Sequence, residues 1–408
     1  MQFQFITGHK ETKEQLVQMV QHNRLSHALL FLGKEGSGAL QLALAFAQYI
    51  TCDVVNGRQT HKPAAVSLFG EEPAPENSGS PSGAGGHDSC GECPACKKAA
   101  AFIHPDIHFS YPVIPAKPGD KPVSTDYVKE WREFITKNPY GNVYDWLQFI
   151  EAENKQGNIT SEECNDIIRK MNLKSFEAEY KIIILWMPEY LTKNGNKLLK
   201  LIEEPPPNTV FIFVAENDEL ILPTILSRTQ LVKIPLHTNQ ELEAALELHD
   251  GVSPEKARQV AAVAEGNYRE ALQLLQHAED DWQALLREWL NAILKTGPVA
   301  QVKWIDETSK LGREKQKQFL KYFIHLLEQA IRLRALSTAN HQPPPTSDTD
   351  FALRLNKITG IGQQEAIIEE LDKASYYIER NANPKMLFHA LSIKLYHIIS
   401  NKSVILVN

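Results

Sequence analysis

The stretch "HALLFLGKEGSGALQLALAFAQYI", residues 27–50, decides the fold. His27 to Leu32 is a short apolar run and reads as a buried strand, whereas Ala39 to Ile50 is rich in Ala and Leu and reads as a packed helix. Between them lie Gly33, Gly36 and Gly38. Strand, glycine turn and helix form the setting of a phosphate-binding loop, which reads G-x-x-x-x-G-K-[ST]. Gly33 and Gly38 have the required separation, but Ala39 stands at the lysine position and Leu40 at the hydroxyl position. In a working loop the backbone N–H groups and the helix N-terminus cradle the phosphates, the lysine neutralises them and the hydroxyl holds Mg²⁺. Ala39 and Leu40 can do neither of the last two jobs. The loop is therefore expected to be a scaffold that has lost its chemistry. Weak nucleotide binding without hydrolysis and a chance glycine turn are the alternatives. Lys34 is off the phosphate-binding position and is expected in solvent.

The same strand–helix alternation continues along the chain. "YKIIILW" up to Trp186 and "TVFIFVAEN" (Thr209–Asn217) read as buried parallel strands, and "HPDIHFSYPVIP" (His104–Pro115) as a strand ending in prolines. "ITSEECNDIIRKMNL" opens on a capping box, with Thr160 as N-cap and Glu163 three residues on. "TKNGNKLLKLIEEPPPN" reads as a helix stopped by Pro205–Pro207, and "LPTILSRTQLVKIP" as a short helix, a turn and a last strand. Strands alternating with helices predict a doubly wound parallel sheet. Residues 116–157 read as an insertion carrying an aromatic helix with Trp131, Phe134, Tyr144, Trp146 and Phe149. After Pro235 the strand signals stop. Three short helices follow to about residue 280, and from 281 longer amphipathic helices run through Leu336 and again from about Gln363 to Ser400. "STANHQPPPTSDTD" (Ser337–Asp350) reads as a linker between them, and the end as a helical bundle.

Composition narrows the function. The chain has 408 residues, 43% hydrophobic and 23% charged, as expected of a globular protein of two or three domains. No apolar run approaches the ~18 residues a membrane span needs. "MQFQFITGHKETKEQ" has neither the basic start nor the apolar core of a signal peptide, so a cytoplasmic location is expected. The net charge of −7 argues against tight independent DNA binding, which draws most of its affinity from phosphate contacts.

"CGECPAC" spaces Cys90, Cys93 and Cys96 as C-x-x-C-x-x-C. Close cysteines in a cytosolic chain suggest a metal more than a disulfide. Zn²⁺ takes four ligands at tetrahedral corners. Cys52, just after the helix that follows the glycine loop, is the expected fourth, with His87 as a competitor. The Pro-, Gly- and Ser-rich stretch Glu71–Ser89 between them is expected to be disordered. His104, Asp106 and His108 are expected to be polar caps at a strand edge and not a second metal site, and Cys164 an ordinary core residue.

Together these segments resemble the bacterial clamp-loader subunits of the AAA+ class, within DNA polymerase III most closely the delta-prime type. "RLSHALLFLGKEGSG" with "ALAFAQYITC", "CGECPACKKAAAFIHPDIHF", "NGNKLLKLIEEPPPNTVFIFVAEN" and "ILPTILSRTQ" carry the resemblance, which covers about residues 1–280 apart from the two insertions. It implies a RecA-like AAA+ domain over 1–235 with a zinc module (52–96) and the insertion at 116–157. A helical lid domain at 236–280 and a helical collar domain at 281–408 would complete the chain. The departures point to a subunit that does not hydrolyse ATP. Besides Ala39 and Leu40, Trp186 occupies the magnesium-ligand position of the Walker B strand, and Glu189 is the acidic residue left nearby. "SRT" (Ser227–Thr229) resembles the family's Ser-Arg-Cys motif, with Thr229 for the cysteine. It implies that Arg228, with Ser227, acts in trans as an arginine finger on a neighbouring ATPase. Arg269 resembles the second sensor arginine and is expected to be structural. Implied partners are gamma/tau and delta subunits, the sliding clamp and primer-template DNA. Implied cofactors are a structural Zn²⁺ and no ATP turned over by this chain. An active gamma-type motor and a zinc-dependent nucleic-acid-binding scaffold are the competing readings.

Overall fold

The computed structural model describes residues 1–57, 87–115, 121–152, 157–276, 282–336, 347–379 and 382–401. The expected disordered stretch lies outside the described residues up to 86, as do residues 337–346 of the expected linker. The chain divides into two compact units, Met1–Leu272 and Gln273–Asn408.

The first unit is built on strands β1 (Ala28–Leu32), β2 (Ile107–Ser110), β3 (Lys181–Trp186), β4 (Thr209–Ala215) and β5 (Gln230–Lys233). They form one five-stranded sheet in the order β2-β3-β4-β1-β5, with every pairing parallel. Parallel strands buried on both faces are apolar without a break, and β3 and β4 are buried at every position. Successive side chains still alternate between two cores. Phe31, Ile184, Trp186, Ile212 and Val214 face one core. Leu30, Ile183, Leu185, Phe211 and Phe213 face the other. Each buried aliphatic or aromatic side chain contributes about 1.5–3 kcal/mol.

Helix α1 (Lys10–Gln21) precedes β1, and α2 (Ala39–Thr51) follows the glycine loop with every residue buried. The short α3 (Pro94–Ala100) begins inside the cysteine motif. The insertion forms two helices, α4 (Val128–Lys137) and α5 (Val143–Phe149), where one was expected. Pro139 and Gly141 interrupt the first, and Asn142 restarts the second with a capping box to Asp145. On α6 (Ser161–Asn172) the Thr160 hydroxyl accepts the Glu163 N–H at 3.1 Å. The expected return bond is missing because the buried Glu163 carboxylate instead accepts the Ser124 N–H (2.6 Å) and hydroxyl (2.8 Å). After β3 the chain runs as a 3-10 stretch, Pro188–Leu198, kinked at Thr192 (φ 47°), before the short α7 (Leu199–Glu203). The predicted helix there is thus mostly replaced by tighter turns. One helical turn, α8 (Pro223–Leu226), then α9 (Asn239–Asp250), α10 (Pro254–Ala264) and α11 (Tyr268–Gln276) follow.

The second unit is helical: α12 (Trp282–Asn291), α13 (Pro298–Thr308), α14 (Arg313–Leu336), α15 (Ser347–Ile358), α16 (Ile361–Glu379) and α17 (Pro384–Asn401). Helix α15 was not expected, and it starts inside the stretch read as linker. Its apolar residues Phe351, Ala352 and Leu355 join a core with Phe319, Phe323, Leu371 and Leu395. Trp289 stacks on Trp304 at 4.8 Å and donates its indole N–H to Ser392 Oγ at 2.9 Å. No described helix is long and apolar enough to cross a membrane.

Candidate functional site: glycine loop, cysteine cluster and Arg228

The glycine loop sits at the carboxyl ends of β1, β3 and β4, where open α/β sheets bind their ligands. Gly38 caps α2 in the left-handed region at φ 85°. Gly36 is also left-handed (φ 73°), and a Cβ there would lie 1.8 Å from Asn267 Oδ1. The Tyr268 N–H donates to the Gly36 carbonyl at 3.2 Å. The glycine thus makes room for the start of α11. Ala39 and Leu40 are buried, and Lys34 is exposed.

The cavity under the loop touches Ser37, Tyr140, Trp186, Met187 and Glu216, and its volume is about 30 Å³. That is room for one or two waters, against about 300–1,000 Å³ for a typical small-molecule site. The insertion contributes to this closeness. Trp186 is 3% exposed, its ring 5.1 Å from Trp131 and 6.2 Å from Phe134. Trp131 stacks on Tyr111 at 4.0 Å and meets Trp146 edge-on at 5.3 Å. Trp186 is thus an aromatic anchor for α4.

Glu189 is tied to β4's exit: its Oε1 accepts the N–H groups of Glu216 (2.7 Å) and Asn217 (2.9 Å). Burial pushes its pKa up, against the pull of those hydrogen bonds. Arg269 is 6% exposed and surrounded by carboxylates. Its Nε and Nη2 donate to the two oxygens of Asp145 at 2.5 and 2.6 Å, and its Nη1 to Glu35 at 2.8 Å. Asn142 completes the group by donating to the other Glu35 oxygen at 2.9 Å. Sequence reasoning missed Glu35, Tyr140, Asn142 and Asp145. Two signals were available: an acidic residue inside a would-be phosphate loop, and the Asn-x-x-Asp box.

The second constellation is the cysteine cluster. The Sγ atoms of Cys52, Cys90, Cys93 and Cys96 all lie within 4.8 Å of one another, and all four are free thiols. Cys52 and Cys90 sulfurs are 3.6 Å apart, Cys90 and Cys96 3.9 Å. Tetrahedral Zn–S bonds of about 2.3 Å would put sulfurs about 3.8 Å apart, so the donor set and spacing fit Zn²⁺. The N–H groups of Cys90, Cys93 and Cys96 each point at the preceding cysteine's sulfur at 3.4 Å. Without a metal, a Cys96 hydrogen bond pulls the Cys52 thiol down to about 5, whereas burial pushes Cys93 up to about 11. His87 is exposed and outside this group, so Cys52 is the sulfur that completes it.

His104 and Asp106, which follow the cysteines, serve the backbone. His104 Nδ1 accepts the Asp106 N–H at 3.1 Å. The Asp106 carboxylate accepts the N–H groups of Phe176, Glu177 and Ala178 at 2.5, 2.8 and 2.7 Å. Cys164 is fully buried in the second core.

Arg228 is placed differently from all of these. Neither it nor Ser227 lines the cavity beneath the glycine loop. Its side chain is 33% exposed and pairs with Glu203 at the end of α7. Its Nη1 donates to the Thr224 carbonyl at 2.8 Å and to Ser227 Oγ at 3.0 Å.

Fold and site define an α/β chain with the shape of a phosphate loop and a four-thiol cluster beside it. The model of the family "DNA polymerase III, delta subunit" matches residues 8–69 and 142–238. The DNA polymerase III subunit delta' of Bacillus subtilis is 25% identical over 265 residues, 65% of this chain and 58% of that protein. That of Escherichia coli is 24% identical over 387 residues, 90% of this chain and 94% of that one. The subunit tau of Bacillus subtilis is 25% identical over 306 residues, 74% of this chain but 41% of its own length. The chain thus spans 58% and 41% of the two Bacillus subtilis relatives. A solved gamma subunit-related protein of Thermotoga maritima aligns over 95% of this chain and 99% of its own, at 14% identity and a TM-score of 0.37. These similarities support a clamp-loader subunit of DNA polymerase III.

Proposed function

We propose that this chain is a clamp-loader subunit of the delta-prime type that hydrolyses no ATP itself and lends Arg228 to an ATPase next to it. The observation that carries this reading is the contrast between its two kinds of arginine. Arg269, beside its own loop, is buried and fully paired with carboxylates of the same chain. Arg228 sits on the surface, away from that loop, in one ion pair with a half-exposed Glu203. Such an exposed pair holds its partners by about 0–1 kcal/mol, so a neighbour's phosphate could take the guanidinium over. Ala39, Leu40 and Trp186 stand where a working site would carry its lysine, hydroxyl and magnesium ligand, which supports a degenerate loop. Cys52, Cys90, Cys93 and Cys96 would hold a structural Zn²⁺. Four thiolates leave no open position for catalysis. On this reading the chain comprises an AAA+ domain (1–235), a lid (236–280) and a collar (281–408). Gamma/tau and delta subunits, the sliding clamp and primed DNA are the partners this role requires.

The test is the DNA-stimulated ATPase of a reconstituted loader containing wild type or Arg228→Ala chain. Turnover should fall by roughly 10³-fold or more with assembly intact. The stability of the isolated variant should change by less than about 1 kcal/mol. Unchanged turnover would remove the finger assignment and leave the chain a structural spacer.

A further inference from the structure

We infer that Glu35, Asn142 and Asp145 form a built-in substitute for a bound phosphate, which holds the helices from α9 to the start of α11 closed on the glycine loop without any nucleotide. The inference goes beyond the reading of Arg228 and does not depend on it. In nucleotide sites an arginine closes down on an anion that arrives with the ligand. Here the anion belongs to the chain. Asp145 takes Arg269 in the two-pronged geometry a phosphate would use, and Glu35 takes the remaining arm from within the loop itself. Asn142 fixes Glu35 from the far side.

Two neutral contacts reinforce the closure. Tyr140 of the insertion stacks on Tyr268 with centroids 4.3 Å apart and planes at 8°. The Tyr268 N–H holds the Gly36 carbonyl. Loop, insertion and helical segment are therefore joined at one point by charge, ring and backbone. A loop carrying Glu35 also repels incoming phosphate, so the device closes the site and excludes its former ligand together.

The test is hydrogen exchange of α9 and α10 in the full chain, with inorganic tripolyphosphate as probe. Wild type should show protected helices that tripolyphosphate does not protect further. The double variant Glu35→Gln, Asp145→Asn should open more often, on the order of tenfold or more. Tripolyphosphate should then restore protection, and adding Arg269→Gln should abolish that rescue. Unchanged exchange in the double variant, rescue that survives Arg269→Gln, or protection of wild type by tripolyphosphate would each overturn the inference. The wild-type titration decides even if the double variant does not fold.

Discussion

The cysteine cluster and the glycine loop lie at the two ends of the same helix, α2, and they have had opposite fates. At the C-terminal end Cys52 keeps its donor atom, and three more sulfurs converge on it at distances a metal would set. At the N-terminal end the turn has a phosphate loop's shape, with Gly38 left-handed, but three groups around it are engaged in packing and pairing. Gly36 accommodates Asn267, Trp186 anchors the insertion, and Arg269 is neutralised by Glu35 and Asp145. The turn's backbone shape serves packing here, as Gly36 and Gly38 show. A glycine turn is therefore weak evidence of a working site, whereas four converging thiols have a donor set and spacing that fit Zn²⁺.

Disrupting the cysteine end should have the largest effect. Purified chain should carry one zinc, read by elemental analysis, and Cys96→Ser should lose it along with the local fold of α3. Structural thiolate sites contribute on the order of 10 kcal/mol in isolated zinc-finger peptides, and this site shares that donor set. A chain with no zinc and full stability would erase the contrast. At the loop end, Trp131→Ala should cost about 3–5 kcal/mol by denaturant unfolding, since it leaves Trp186 and Tyr111 facing a void. A small loss would mean that the insertion does not hold the loop shut.

Asp106→Asn should cost about 1.5–3 kcal/mol, because a charged acceptor of three N–H groups becomes a neutral one. Burial alone would raise the Asp106 pKa, but the three backbone hydrogen bonds outweigh it and hold it below the usual 3.8. A depressed carboxylate contributes stability that is present above its unfolded pKa and lost as pH falls through its folded one. Wild type should therefore lose more stability than the variant as pH drops below about 4. Parallel curves would show that the staple is not charged. Finally, completing the motif with Ala39→Lys and Leu40→Thr should destabilise by about 1–3 kcal/mol, through overpacking at 39 and lost apolar burial at 40, and yield no ATP binding by calorimetry. Binding would show that only the missing side chains, and not the closed cavity, silenced the loop.

Most of the fold was legible in the sequence because parallel strands announce themselves as unbroken apolar runs, as "KIIIL" and "TVFIFVA" do. Cys90, Cys93 and Cys96 were legible through their close spacing, whereas Cys52 lies 38 residues from Cys90 and was placed by its position just after α2. The device around Arg269 was not. Glu35 and Arg269 are 234 residues apart, and Asp145 reaches them from an insertion with its own local logic. Local rules also misled where one residue had two possible uses. Glu163 fits a capping box by spacing, yet the insertion's Ser124 offers it two hydrogen bonds in a buried place. Helix α15 was hidden by the prolines just before it.

The tryptophans of this chain number six, and they divide evenly. Trp131, Trp146 and Trp186 crowd together in the first unit, and Trp282, Trp289 and Trp304 belong to the core of the second. Rings at such separations couple optically, so each unit carries its own near-ultraviolet signature of side-chain order. Trp186→Phe would dim one signature and Trp304→Phe the other. The melting of the two units can then be timed separately in a single unlabelled chain.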